Sequence, residues 1–184
     1  MSKYDPALAP DFRDCIASLN AHRVRFVLVG GYALGWHGVI RATGDIDFLY
    51  RQTTANVRRL CAALREFGAP EHLIDPPFLL SPNAVTQIGL PPLRIDLLAA
   101  ISGVSFAEVD AGAHDVEVDG QRLRIIGINE LRRNKQAAGR GKDKQDLRGL
   151  ASANPQHEAG VNRSRQTRAA RDAGKPARSG RKRP

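Results

Sequence analysis

Asp45 and Asp47 lie one residue apart in the run Asp45-Ile46-Asp47-Phe48-Leu49-Tyr50, and Asp96 lies within Leu93-Arg94-Ile95-Asp96-Leu97-Leu98. Residues i and i+2 of a strand point to one face, so Asp45 and Asp47 project together while Ile46 and Phe48 turn toward the core. Two carboxylates side by side on an apolar strand repel each other, and such a pair usually exists to hold a divalent cation. Oxygen ligands of this kind suit Mg²⁺, which takes one or two carboxylates and completes its shell with phosphates and water. If the strand carrying Asp96 lies beside the first, Asp96 completes a three-carboxylate cluster. Two metal ions bridged by such a cluster can activate a hydroxyl and stabilise a leaving pyrophosphate. A lone D-x-D is a weak signal, and Asp96 has a rival reading. Arg94 sits two residues earlier on the same side of the strand, where it could form a structural ion pair with Asp96.

The apolar run Arg25 to Val29 stops on Gly30-Gly31. A strand that ends in glycines before a helix exposes backbone N–H groups, a ready seat for phosphate. Arg41 could add charge-assisted bonds to the same triphosphate. Gly-Gly is also a common strand-to-helix turn, and only its order with the two carboxylate strands makes it informative. Val29-Gly30-Gly31-Tyr32-Ala33-Leu34-Gly35 is not G-x-G-x-x-G, which argues against a dinucleotide site. Gly141-Lys142 lacks the flanking residues of a P-loop.

The elements that must position these groups follow from periodicity. Residues 10 to 22 form a helix with Phe12, Ile16 and Leu19 on one face. Arg25 to Val29 is a strand, Tyr32 to His37 a short helix, and Asp45 to Tyr50 a second strand. Val57, Leu60, Cys61, Leu64 and Phe67 mark one face of a helix over 53–67, with Thr53 or Thr54 as its cap and Gly68 as its end. Pro76-Pro77 and Pro91-Pro92 bracket a strand at Ala84 to Ile88, and Arg94 to Leu98 is another. Val116 to Val118 and Leu123 to Ile126 flank Asp119-Gly120 as a hairpin. Helices over about 128–138 and 142–151 follow, punctuated by Gly139 and Gly141. Hairpins together with helical crossovers predict an α/β (α+β) fold built on a mixed sheet flanked by helices.

Gly-Gly, a short helix, then R-x-T-x-D-I-D-F resembles the first motif of the DNA polymerase β-like nucleotidyltransferase superfamily. Asp96 in its apolar strand is similar to the third carboxylate of that superfamily. Asn129 to Leu147, NELRRNKQAAGRGKDKQDL, resembles the K-x-x-A…R-x-K-D-x-x-D helical segment of stand-alone bacterial members, including AbiEii-type toxins. The resemblance spans roughly residues 23 to 150 and implies roles residue by residue. Gly30 and Gly31 would contact nucleotide phosphates. Asp45 and Asp47 would bind Mg²⁺, as two ions, and Asp96 would be the third ligand or the base for the incoming hydroxyl. Lys135 would face the triphosphate and Asp143 would orient the site. Many members carry Gly-Ser where this chain has Gly30-Gly31; Gly-Gly occurs in the AbiEii-like branch.

The net charge of +9 is uneven, with residues 151–184 carrying +7 and residues 1–150 carrying +2. The basic stretch has Val161 as its one large apolar residue, so residues 152–184 are expected to be a disordered tail behind a nucleotidyltransferase domain at 1–151. Such a tail either holds nucleic acid through salt-sensitive contacts or merely solubilises. Cys15 and Cys61 form no C-x-x-C and read as reduced thiols. The five histidines show no ligand spacing, and no apolar run approaches membrane-spanning length, so a cytoplasmic protein with no membrane partner is expected. The expected reaction is Mg²⁺-dependent transfer of a nucleoside monophosphate from an NTP to an acceptor hydroxyl of a protein, a tRNA end or a small molecule. A toxin–antitoxin setting follows from the resemblance alone. The alternative is a non-catalytic module of the same fold that binds nucleic acid through the tail, a reading against which the intact Asp45, Asp47 and Asp96 speak.

Overall fold

Phe26 to Val29 form strand β1, and all four side chains are buried, as an apolar β-branched run in a central strand requires. In the computed structural model, which describes residues 8–152, β1 is preceded by helix α1 (Pro10–Ala21) and followed directly by helix α2 (Gly30–Trp36). Gly30-Gly31 is thus the first turn of α2 rather than a break before it. Strand β2 (Asp45–Tyr50) alternates partly exposed Asp45 and Asp47 with buried Ile46 and Phe48, the period-2 pattern of a half-buried strand. Helix α3 (Thr54–Phe67) buries Val57, Leu60, Cys61 and Leu64. It starts on the Thr53 side chain, which accepts from the Asn56 N–H, and ends on Gly68 at φ 86°.

A 3₁₀ turn (Glu71–Leu73) and a one-turn helix α4 (Pro76–Leu79) lead to strands β3 (Val85–Leu90) and β4 (Leu93–Leu98). Helix α5 (Phe106–Gly112) opens with a reciprocal cap between Ser105 and Glu108. Strands β5 (His114–Val118) and β6 (Gln121–Ile125) form the expected hairpin, and helices α6 (Ile128–Ala138) and α7 (Gly141–Ser152) complete the described chain.

The six strands form one sheet in the order β3-β4-β2-β1-β6-β5. The pairs β2–β4 and β1–β6 are parallel and the remaining pairs antiparallel, so the sheet is mixed, as the sequence predicts. Helices α1 and α3 pack together, joined by the Ser18 hydroxyl donating to the Ala63 carbonyl at 2.7 Å. The core beneath the sheet includes Phe12, Ile16, Phe48, Leu60 and Leu64, each almost fully buried.

Buried Asn56 ties α3 to the sheet. Its Oδ1 accepts from the Arg25 N–H at 2.8 Å, and its Nδ2 donates to the Arg25 and Arg51 carbonyls at 3.0 and 2.9 Å. One side chain thereby clamps the start of β1 to the end of β2, the two strands on which the glycine turn and the D-x-D pair are carried. The expected tail at 152–184 lies almost wholly outside the described residues; only Ser152, the last residue of α7, falls within them.

Candidate active site

Register decides which charged residues meet. Asp47 pairs with Val29 across β1–β2 and with Asp96 across β2–β4, and Asp96 pairs with Gln87 across β3–β4. Paired residues project on the same face, so Gln87, Asp96 and Asp47 form one row across three strands. The next row holds Arg94 beside Asp45. The three aspartates expected from the sequence to act together therefore share one face of one sheet.

Arg94 stands among them. Its Nη2 lies 2.9 Å from Asp45 Oδ2 and 3.1 Å from Asp96 Oδ2, and its Nε lies 2.7 Å from Asp96 Oδ1. Gln87 Nε2 adds longer contacts of 3.4 and 3.3 Å to the two oxygens of Asp96. Asp96 is only 7% exposed, and these donors compensate the burial of its charge. The ion pair weighed as the rival reading is thus present alongside the carboxylate cluster.

Among the described residues no such cation contacts Asp47. Burial, the neighbouring Asp96 carboxylate and Asp45 push its pKa up to about 6, against the opposing Gly31 N–H, which donates to it, and the more distant charge of Lys135. Gly30 explains the closeness of approach: it sits at φ 69°, and a Cβ there would overlap the Asp47 carboxylate. At Gly31 a Cβ would press on the Thr43 side chain, 2.8 Å from its Oγ1. The Gly31 N–H expected to meet phosphate is directed at Asp47 in this arrangement.

Lys135, Asp143 and Asp146 form a second cluster between α6 and α7. Lys135 is 3% exposed, and its Nζ lies 3.0 Å from Asp143 Oδ1 and 3.0 Å from Asp146 Oδ2. Asp143 is fully buried; its other oxygen accepts from the Arg140 backbone N–H at 3.1 Å and from Arg140 Nε at 2.9 Å. Burial alone would raise the Asp143 pKa, but the bonds from Arg140 and Lys135 prevail and hold it below the ordinary carboxylate value. Arg41 Nε lies 3.5 Å from Asp146 Oδ1. Lys135 thus reaches the candidate site with its ammonium already engaged by two carboxylates.

The carboxylate cluster and Lys135 of the second cluster line one open cleft of about 660 Å³. Gly30, Gly31, Asp45, Asp47, Asp96, Arg94 and Lys135 line it, and Arg41, Arg140 and Lys142 add further positive charge. An anionic triphosphate and a divalent cation suit such walls, because the cations can neutralise phosphate while carboxylate oxygens meet the metal. The donor set fits Mg²⁺ by chemistry: burial first, and the neighbouring Asp96 and Asp45 carboxylates after it, disfavour the charged form of Asp47, which a cation held there would stabilise. Among the described residues no group of three such side chains already forms a metal cage; Arg94 bridges Asp45 and Asp96 instead.

Sequence reasoning did not single out Gln87 or Thr43 for the site. Gln87 reaches Asp96 through strand register alone, which leaves no local signal. Asp146 had one: it ends the K-D-x-x-D pattern that begins at Lys142.

Solved structures of the same architecture are nucleotidyltransferases. A Thermotoga maritima protein assigned to that class superposes with a TM-score of 0.52 at 14% identity, over 78% of this chain and 91% of its own. The antibiotic-resistance factor ANT(2'')-Ia gives 0.51 at 12% identity, over 89% and 93%. The lincosamide antibiotic adenylyltransferase LnuA, in its lincomycin-bound form, gives 0.51 at 10% identity, over 80% and 99%. At these identities the likeness is one of fold. No curated protein sequence matches the chain. The family model described as the nucleotidyl transferase AbiEii toxin of type IV toxin–antitoxin systems matches residues 14–120, from α1 through the glycine turn and both carboxylate strands to the β5–β6 hairpin. More than half of the sequence falls within that match, and the chain belongs to the AbiEii family of nucleotidyltransferases.

Proposed function

We propose that this nucleotidyltransferase moves a nucleoside monophosphate from an NTP to an acceptor hydroxyl in a Mg²⁺-dependent reaction that releases pyrophosphate. The observation that carries the reading is the row of Asp47 and Asp96 with Asp45 beside it, facing a cleft rimmed by arginine and lysine. Asp45 and Asp47 would hold Mg²⁺, with Asp96 as the shared third ligand. Bound there, the ion supplies charge neutralisation and an activated hydroxyl.

The chain's own groups do the rest. Arg41, Arg140 and Lys142 place positive charge where the triphosphate would lie, and Gly30 lets the first turn of α2 approach without a side chain. Asp96 would serve as that third ligand or take the proton of the attacking hydroxyl. Lys135 and Asp143 orient the cleft wall through their buried pair, which modifies the expectation that Lys135 simply faces phosphate. The family's description supports a toxin role within a toxin–antitoxin pair. No helix among the described residues is long and apolar enough to cross a membrane.

The test is incubation of the full chain with each α-labelled NTP, Mg²⁺ and a cell extract. Label should move to a single macromolecular or small-molecule fraction, and should fail to move with Asp47→Asn. Label transfer undiminished in folded Asp47→Asn protein would remove the metal assignment. Absence of transfer from every NTP would favour the non-catalytic module.

A further inference from the structure

Among the described residues Arg94 is the one guanidinium that contacts two of the three aspartates proposed to hold metal. It is placed there by two local facts. Arg94 and Asp96 are i and i+2 on β4, hence on one face, and the parallel register sets Arg94 directly beside Asp45 on β2. The Gly44 carbonyl accepts from the Arg94 N–H at 3.1 Å, which fixes that register at the start of both strands. The guanidinium thus makes three charge-assisted contacts with oxygens that the cation would need.

A divalent cation and a guanidinium cannot share the same oxygens without placing like charges in contact. We propose that Arg94 is a tethered counter-ion which holds Asp45 and Asp96 together before metal loading and which the divalent cation must displace. The inference rests on the reading of these carboxylates as the cation site. Arg94 is then a positioning residue that sets the metal affinity, and its removal should tighten metal binding rather than loosen it. A residue that only braced the strand would act the other way, since its loss would let the carboxylates splay.

The arrangement also gives metal binding a local structural signature. The Arg94 Nε–H is bonded to Asp96 at 2.7 Å and must lose that partner when the cation takes the oxygen. Gln87, opposite Asp96 on the edge strand β3, makes only weak contacts at 3.3 and 3.4 Å and cannot replace a charge.

The experiment is a titration of full-length protein with Mn²⁺, followed by loss of the free-ion electron paramagnetic signal, for wild type, Arg94→Gln, Arg94→Lys and Asp47→Asn. Arg94→Gln should bind Mn²⁺ about tenfold or more tightly than wild type, the worth of one charge-assisted contact removed from the competition. Arg94→Lys, which keeps the charge but cannot bridge both carboxylates bidentately, should fall between them. In ¹⁵N-arginine-labelled wild type, Mg²⁺ should shift the Nε–H resonance that is missing from Arg94→Lys. Equal or weaker Mn²⁺ binding by folded Arg94→Gln, or by Arg94→Lys should the glutamine variant not fold, overturns the proposal. If wild type binds and Asp47→Asn does not, that failure leaves the metal site standing. Absence of Mn²⁺ binding in wild type and both Arg94 variants overturns this proposal and the metal-site reading together.

Discussion

Asp47 carries the sharpest consequence at the level of one residue. Its pKa is about 6 in the fold against an ordinary 3.8, so between those values the folded protein keeps a proton that the unfolded chain has lost. Stability therefore falls as pH rises through that window, and the cost is fully present at pH 7. Two units correspond to something on the order of 3 kcal/mol. Asparagine removes the charge and can still accept the Gly31 N–H. Asp47→Asn should melt several degrees higher than wild type at pH 7 without metal, and the difference should vanish below about pH 4. Thermal melts across pH in a chelating buffer check this. A constant difference at all pH values would mean that the gain came from packing and not from relief of charge.

Two elements depend on single polar anchors. Lys135 neutralises Asp143 and Asp146 between α6 and α7, all three being almost fully buried. Lys135→Ala strips the cation from two buried carboxylates and should cost about 3–5 kcal/mol in urea unfolding. Part of that loss should return in the Lys135→Ala/Asp146→Asn double variant, because one uncompensated charge is then gone. Asn56 is the second anchor, with three bonds to the backbone of Arg25 and Arg51. Asn56→Ala leaves the Arg25 N–H without its partner and takes a second donor from the Arg25 and Arg51 carbonyls, which still accept from the Arg51 and Thr53 N–H groups, and should cost about 1–3 kcal/mol. Its Mn²⁺ affinity should be unchanged below the melting transition, since the carboxylate row lies at the opposite end of the β1–β2 pair.

Across the whole molecule charge is divided between residues 1–150, which carry +2, and a basic stretch at 151–184 that carries +7. We propose residues 1–151 as the catalytic domain and residues 152–184 as an extension that the chemistry does not need. Removing residues 153–184, which spares the end of α7, should leave the melting temperature and any Mn²⁺ affinity unaltered. Binding to single-stranded or duplex nucleic acid should weaken, and its dependence on salt should flatten, because fewer counterions are released. Nucleic-acid affinity and salt slope both unchanged after truncation would place any such contact within residues 1–152.

The sequence by itself determined the D-x-D strand, the α3 stripe with Thr53 and Gly68 at its ends, the β5–β6 hairpin and the last two helices. Each of these follows from periodicity or capping within a few residues of chain. It left α5 unread, because the Ser105–Glu108 cap is followed by too short an apolar pattern to register. It also divided Gly30-Gly31 from α2, since glycine opposes helix in propensity while its positive φ and small size suit the first turn against Asp47. Only the tertiary structure decided what Asp96 touches. Strand order and register are set by burial of the apolar sheet face and the packing of distant segments; they bring Gln87, Asp96 and Asp47 into one row and Arg94 against Asp45. Whether Arg94 paired with a carboxylate on its own strand, on a neighbouring one or on both could not be read from spacing. Its reach is local, but the second partner lies 49 residues away in the chain.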